Sequence, residues 1–174
     1  MRLFFALEAE PATALKIADW RDTSLMADGR QVPPANFHIT LAFVGELSHT
    51  KSDQLANAVD TRLQQQAPAS ATLLLDQPGY WSKAGIFWLG PTTWPETLEV
   101  LAGKLRGLAT ASGARKDNNT FRPHVTLFRR CTLPPAAPTE TPAIDWPYSH
   151  FSLMESVVGK RGVSYRPLAS WALP

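Results

Sequence analysis

The sequence has little that would tie it to a membrane, a disulfide scaffold or a metal. Its 174 residues include one cysteine, Cys131, so no disulfide can form within the chain, and only four histidines. No apolar run approaches the length needed to span a membrane, and the apolar start of the chain meets Glu8 too early for a secretory signal. These absences predict a cytoplasmic protein with no membrane association.

Several common catalytic motifs are also missing. The Gly-x4-Gly-Lys-Ser/Thr phosphate loop is absent, and the basic segment Gly159–Gly162 is either a simple basic turn or a contact for a phosphate backbone. No Gly-x-Ser-x-Gly elbow exists, which leaves a serine hydrolase unsupported. The histidines and the cysteine show no metal-ligand spacing. The sequence therefore predicts an activity that uses neither a metal nor another cofactor.

The length and a hydrophobic content of 44% suit one domain spanning residues 1–174. Hydrophobic periodicity predicts strands and helices in an α+β arrangement. The predicted strands are Arg2–Glu8, Phe37–Val44, Ala71–Asp76, Gly85–Leu89, Pro123–Arg129, Phe151–Val158 and Val163–Trp171; the predicted helices are Ala12–Trp20, Asp53–Gln66 and Pro95–Ser112. The third and fourth strands are expected to form a hairpin through Gly79–Trp81, and the proline-rich segment Leu133–Pro147 is expected to be a surface loop.

One pattern occurs twice. His38-Ile39-Thr40-Leu41 and His124-Val125-Thr126-Leu127 each join a histidine, a β-branched apolar residue, a threonine and a leucine, 86 residues apart. Side chains two residues apart in a strand share a face, so each histidine points the same way as its threonine. A single such segment is more often structural, because threonine is common in strands. Packing gives no reason for the same polar pair to occur twice. Each half of the chain is also predicted to contain a strand, a helix and a His-bearing strand, in that order. Two similar lobes facing each other are expected.

This duplication suits phosphoryl chemistry. Attack on a cyclic phosphodiester needs a base beside the incoming water and an acid beside the departing oxygen, on opposite sides of phosphorus. Histidine serves both roles because its ordinary pKa of about 6.5 makes both protonation states accessible near neutrality. The hydroxyls of Thr40 and Thr126 could donate hydrogen bonds to the non-bridging oxygens.

The duplicated motif resembles that of the two-histidine phosphoesterases, and the chain is most similar to the bacterial RNA 2′,3′-cyclic phosphodiesterases, also called 2′–5′ RNA ligases. The similarity extends over most of the chain, through Arg2–Ala6, Phe37–Gly45, Phe87–Gly90, Pro123–Arg129 and Gly162–Tyr165. It implies two lobes, each an antiparallel-rich sheet with outer helices, facing across a central groove. It also implies His38 as general acid, His124 as general base, 2′-phosphate products and a weak reverse reaction that forms 2′–5′ bonds without a nucleotide cofactor.

The resemblance further implies an arginine beside the phosphate, five positions after the second histidine, which is Arg129. Strict alternation along a strand instead puts Arg130 on the face of His124, unless the strand ends or bulges near Phe128. We favour Arg129 on the resemblance, with Arg130 as the alternative. The basic balance of residues 115–174, with eight Lys/Arg against four Asp/Glu, is compatible with a polyanionic ligand.

The expected partner is RNA with 2′,3′-cyclic phosphate ends, with tRNA fragments among the candidates, bound by a monomer. Two other functions stay open: hydrolysis of a small cyclic nucleotide or an ADP-ribose cyclic phosphate, and RNA-end binding without turnover. Tyr80 and Trp81 are candidates for stacking on a base, although core packing is the favoured interpretation of Trp81, and of Trp88 and Trp171 in their apolar strands.

Overall fold

The computed structural model describes all 174 residues. The chain folds into ten strands, three helices and a 3-10 turn at Pro34–Asn36. The strands are β1 Arg2–Glu8, β2 Arg30–Gln31, β3 His38–Glu46, β4 Ala71–Leu75, β5 Gln77–Trp81, β6 Ile86–Gly90, β7 Val125–Arg129, β8 Ile144–Tyr148, β9 His150–Gly159 and β10 Gly162–Ala172; the helices are α1 Pro11–Ser24, α2 His49–Gln65 and α3 Glu96–Ala111. No helix is both long enough and apolar enough to cross a bilayer.

Eight of the strands form one antiparallel sheet made of two halves. Its order is β10-β9-β1-β3-β7-β6-β5, with β2 paired to β7. Strands β10, β9, β1 and β3 belong to the first lobe, and β7, β6, β5 and β2 to the second. The lobes meet where β3 lies beside β7, through the single residue pair Ile39 and Val125. The α+β class and the two-lobed architecture expected from the sequence are confirmed.

The main hydrophobic core lies on one face of this sheet. Its 36 buried residues come from alternate positions of the central strands, from all three helices and from the two-stranded sheet β4–β8. The opposite face carries a small cluster of Phe4, Ala6 and Met154, with Tyr165 against it. This uncovered face over β3 and β7, flanked by the β9–β10 hairpin on one side and by β5–β6 on the other, is called the central groove below.

Local sequence explains where the helices begin and end. Pro11 stands in the first turn of α1, where its fixed φ and missing N–H cost nothing. The Ser48 hydroxyl accepts a hydrogen bond from the backbone N–H of Lys51 and caps α2. Gly113 follows α3 with a φ of +103°, a left-handed conformation that glycine adopts without strain. Helix α1 continues to Ser24, four residues beyond its predicted end.

Two predictions about strand pairing were wrong. Ala71–Leu75 (β4) pairs with β8 and not with Gly85–Leu89, and the predicted connection Gly79–Trp81 is part of strand β5, which pairs with β6. The proline-rich segment is a loop only in part, since Ile144–Tyr148 forms β8 and buries alternate side chains. The prolines misled because edge strands tolerate proline, and both β5 and β8 lie at the edge of their sheets.

Candidate active site

The two motif strands place four polar side chains on one face. Ile39 and Val125 are paired across β3 and β7 and are fully buried in the main core. Because successive side chains alternate between faces, the residues on either side of this pair point into the central groove. Those groove-facing side chains, all partly exposed, are His38, Thr40, His124 and Thr126. The structure thus brings together both members of each predicted pair.

Both imidazole rings are held in the same way. Nδ1 of His38 donates to the carbonyl oxygen of Asn36 at 2.8 Å, and Nδ1 of His124 donates to the carbonyl oxygen of Arg122 at 2.8 Å. A carbonyl oxygen can only accept, so Nδ1 carries the proton in each ring. This leaves Nε2 as the nitrogen that gains or loses a proton, as acid–base catalysis requires.

Each motif strand contains a β-bulge three residues after its histidine. In β3, Thr40 pairs with Ala6 and Ala42 with Phe5, so Leu41 is the extra residue. In β7, Thr126 pairs with Trp88 and Phe128 with Phe87, so Leu127 is the extra residue. A bulge inserts one unpaired residue and reverses the alternation beyond it. The duplicated leucine of the motif is therefore the bulge in both lobes.

The bulges determine which face of the sheet the residue five positions after each histidine occupies. Beyond them, Phe43 and Arg129 return to the groove face, and Phe43 is 63% exposed there. Arg130 would lie on the face of His124 only in a regular strand, and the bulge at Leu127 removes that regularity. Strand β7 ends at Arg129, and Arg130 follows with a φ of +57° that turns the chain away from the strand direction.

Burial and a nearby cation favour the neutral form of both rings in the unliganded protein. The pKa of His38 is lowered from 6.5 to about 4, mainly by desolvation and also by the charges of Arg129 and His124. The Asn36 carbonyl and the Glu8 carboxylate act in the opposite direction. The pKa of His124 is also lowered, first by desolvation and then by Arg129 and Arg122, against the Arg122 carbonyl. Arg129 is thus close enough to act on both histidines.

Basic side chains collect at one end of the groove. Arg30 in β2 pairs with Arg129 in β7, and its guanidinium lies against Gly162 at the tip of the β9–β10 hairpin. That tip also carries Lys160 and Arg161, both exposed. These four residues, Arg30, Arg129, Lys160 and Arg161, are called the basic end. The side-chain amide of Asn36 donates to the carbonyl oxygen of Val163 at 2.9 Å and so links the hairpin to the residue that orients His38.

A cavity of about 410 Å³ opens beside His38, on the side away from β7. Its walls come from the start of α1, the turn before β3 and the β9–β10 hairpin; they include Glu8, Asn36, Met154 and Tyr165. Tyr165 contacts the His38 ring edge-on, with ring centroids 4.9 Å apart. The volume and the mixed apolar and polar walls are suited to a nucleoside.

Two tryptophans lie elsewhere than the sequence predicts. Trp81, favoured as a core residue, is 37% exposed and its ring lies 4.6 Å from that of His124. Trp88 is buried but lies on the groove face, outside the main core. Desolvation and the charge of Asp28 raise the pKa of the Cys131 thiol. The sequence feature that could have indicated the position of Trp88 is Gly79, because the absence of a side chain there leaves room for the indole.

No group of three or more His, Cys, Asp or Glu side chains is arranged to hold a metal ion. Of the remaining histidines, His49 is exposed at the start of α2, and His150 lies 3.6 Å from the Glu8 carboxylate. Metal independence stays a prediction, and its test is given with the proposed function.

A two-lobed α+β fold with paired His-x-Thr strands is the architecture of a two-histidine phosphoesterase. The family model described as the 2′-5′ RNA ligase superfamily matches residues 8–162, and the chain belongs to this family. The RNA 2′,3′-cyclic phosphodiesterase of Escherichia coli (strain K12) is 36% identical over 179 residues, covering 99% of this chain and 96% of that protein. The protein of the same name from Thermus thermophilus is 27% identical, covering 99% of this chain and 90% of its own. The crystal structure of E. coli LigT complexed with 3′-AMP matches with a TM-score of 0.85 and 34% identity, covering 99% of this chain and 97% of that one.

The lowered pKa values make a specific prediction about pH dependence. The profile of kcat/KM reports groups of the free enzyme, so we expect a bell whose two limbs both lie below pH 6.5. Its alkaline fall is the loss of the protonated imidazole as pH rises. A bound phosphodiester anion raises the pKa of both rings, so the kcat profile should lie at higher pH than that of kcat/KM. Coincident profiles, or a kcat/KM optimum above neutrality, would contradict the electrostatics described here.

Proposed function

We propose that this protein hydrolyses RNA 2′,3′-cyclic phosphates to 2′-phosphates by metal-independent acid–base catalysis with His38 and His124. The observation that carries the proposal is the matched pair of imidazoles on neighbouring strands, each with Nδ1 bonded to a backbone carbonyl and Nε2 left for proton transfer. Binding alone would not need two histidines prepared in this way. The relatives named as RNA 2′,3′-cyclic phosphodiesterases support the substrate class.

The reaction proceeds by in-line displacement at phosphorus. A water oxygen attacks from the His124 side, and Nε2 of His124 takes one of its protons. The bond between phosphorus and the 3′-oxygen breaks, and Nε2 of His38 gives its proton to that oxygen. Thr40 and Thr126 donate hydrogen bonds to the non-bridging oxygens, while Arg129 offers two N–H groups and a positive charge to the same oxygens.

The surroundings of the two rings support this division of roles. His38 borders the cavity of about 410 Å³, which can hold the terminal nucleoside whose 3′-oxygen departs. Glu8 faces His38 directly across β1 and β3, and its charge favours the protonated ring that an acid needs. His124 lies at the more open side of the groove, next to the partly exposed Trp81, where water can enter.

The basic end favours RNA over a small cyclic nucleotide as the substrate. Arg30 lies beside Arg129 across β2 and β7, and Lys160 and Arg161 are exposed at the hairpin tip that Arg30 contacts. Phosphates of an RNA chain leading to the cyclic end would meet these charges, whereas a mononucleotide has none to offer. A monomer is sufficient for this arrangement, because every residue in it comes from one chain.

The basic end provides a test of substrate class. In the double variant Lys160→Ala/Arg161→Ala, we expect KM to rise about tenfold for an oligonucleotide with a cyclic phosphate end and to change little for a nucleoside 2′,3′-cyclic monophosphate. The variant's kcat should be unchanged on both substrates. Lys51→Ala/Arg62→Ala, a charge-matched double variant of two exposed residues on α2, outside the groove, serves as control. Equal effects on both substrates would favour the small-nucleotide alternative.

The central assay is hydrolysis of an oligonucleotide with a 2′,3′-cyclic phosphate end after extensive chelation. We expect full activity with EDTA present, a 2′-phosphomonoester as the product, and a low yield of 2′–5′-joined RNA when a 5′-hydroxyl oligonucleotide is added. Activity lost on chelation and restored by Mg²⁺ or Zn²⁺ would contradict the metal-free mechanism. Tight binding of the cyclic end without turnover would establish the non-catalytic alternative.

A further inference from the structure

The second lobe carries an aromatic surface next to His124 that hydrolysis does not use. Trp88 lies on the groove face of β6 over the backbone of β5, and a Cβ at Gly79 would fall 2.0 Å from its ring. A Cβ at Gly90 would also press on this ring, at 3.2 Å. Trp81 lies beside it, with ring centroids 5.2 Å apart. Two glycines therefore make space for the Trp88 indole, beside which Trp81 lies.

A cation completes the surface. The Arg122 guanidinium lies 4.8 Å from the Trp88 ring centroid, within the range of a cation–π contact, and the arginine itself is exposed. The Trp88 indole N–H is buried and donates to no atom of the protein. A buried donor without a partner is uncommon in a protein interior. Trp81, Trp88 and Arg122 are called the indole platform.

The indole platform lies next to His124, the histidine that takes the proton of the attacking oxygen. The His124 ring contacts Trp81 at 4.6 Å and Trp88 at 6.1 Å between centroids, whereas the cavity beside His38 lies on the other lobe. In an in-line displacement the attacking and departing groups lie on opposite sides of phosphorus. A group whose oxygen is served by His124 must therefore approach across the indole platform. A water molecule gains nothing from an aromatic surface, whereas the base of a nucleoside can stack on it.

We propose that the indole platform binds the nucleoside whose 5′-hydroxyl attacks the cyclic phosphate in place of water. This inference rests on the proposed function. The exposed Trp81 face stacks on the base, and Arg122 pairs with the phosphate that follows the acceptor nucleoside. The platform thereby favours 2′–5′ joining over hydrolysis when a 5′-hydroxyl end is bound.

The joining step balances without a co-reactant. The 5′-hydroxyl oxygen forms a bond to phosphorus as its proton passes to Nε2 of His124. The bond between phosphorus and the 3′-oxygen breaks, and this oxygen takes the proton of His38. The product is a 2′–5′ phosphodiester with a free 3′-hydroxyl. The energy comes from the opened ring, so no nucleoside triphosphate is consumed.

The test measures the partition of one cyclic phosphate RNA between water and a 5′-hydroxyl oligonucleotide in the same mixture. Any damage to His124 or to phosphate binding affects both products and cancels in their ratio. In Trp81→Ala we expect the ratio of joined to hydrolysed product to fall about tenfold, and Trp81→Phe should retain most of it. With methanol as the competing acceptor, which has no base to stack, the ratio should stay within about twofold of the unmodified protein's.

Three results would overturn the inference. They are an unchanged joining ratio in Trp81→Ala, an equal fall in the methanol ratio, and no joining by the unmodified protein at millimolar acceptor. Each of them leaves hydrolysis intact. Absence of hydrolysis by the unmodified protein would instead contradict the proposed function, so the two failures are distinguishable.

Discussion

Replacing either groove histidine with alanine is expected to lower the rate of cyclic phosphate hydrolysis by roughly 10²–10⁴-fold. Each imidazole transfers one proton in the transition state, and neither ring belongs to the main core. The fold should therefore survive, as near-UV circular dichroism and thermal unfolding would show. His49→Ala is the matched control, because that histidine is exposed on α2 outside the groove.

The two histidine variants should respond differently to an activated substrate. A phosphodiester that releases 4-nitrophenoxide needs little help from an acid, since this anion is stable without a proton. His38→Ala should therefore recover much of its lost rate on such a substrate, and His124→Ala should not. Recovery by the His124 variant alone would exchange the two roles, and wild-type rates in either variant would eliminate the two-histidine mechanism.

Arg129→Ala should lower kcat/KM by roughly 10²–10³-fold, the loss typical of one donor to a developing oxyanion. Arg129→Lys should recover only part of it, because lysine keeps the charge but not the paired N–H donors. The arginine also lowers the pKa of both histidines, so its removal should shift the kcat/KM profile to higher pH. A structural role alone would not move this profile.

Arg130→Ala is the control for this experiment. Arg130 follows the end of β7 in a left-handed conformation, and we expect its removal to change kcat/KM by less than about threefold. A large loss in Arg130→Ala with a small one in Arg129→Ala would mean that the strand is regular in solution. The role assigned to the bulge would then be wrong.

The histidine pair was predictable because it depends on short-range rules. Alternation within a strand places His38 with Thr40, and His124 with Thr126, in any fold that keeps these segments extended. The bulges were not predicted, although the sequence contained a sign of them. Leu41-Ala42 and Leu127-Phe128 are consecutive apolar pairs, and both residues of each pair are buried, which a regular strand on this sheet would not allow.

Features that depend on contacts between distant parts of the chain could not be predicted from such short-range rules. The pairing of β4 with β8 joins segments about 70 residues apart, and the sequence of neither segment indicates which strand it pairs with. The indole platform depends on Gly79 lying opposite Trp88 across two strands. The basic end is formed where the tip of a late hairpin meets Arg30. Each of these features requires the register of the sheet, which a single sequence leaves open.

The most direct test of the account is the stereochemical course of hydrolysis. A nucleoside 2′,3′-cyclic phosphorothioate of one configuration would be hydrolysed in ¹⁸O-labelled water and the configuration at phosphorus determined. In-line attack by water between His38 and His124 predicts inversion, because the oxygen enters opposite to the group that leaves. Retention would indicate two successive displacements through a phosphorylated enzyme, with one histidine acting as a nucleophile, and would contradict acid–base catalysis by the pair.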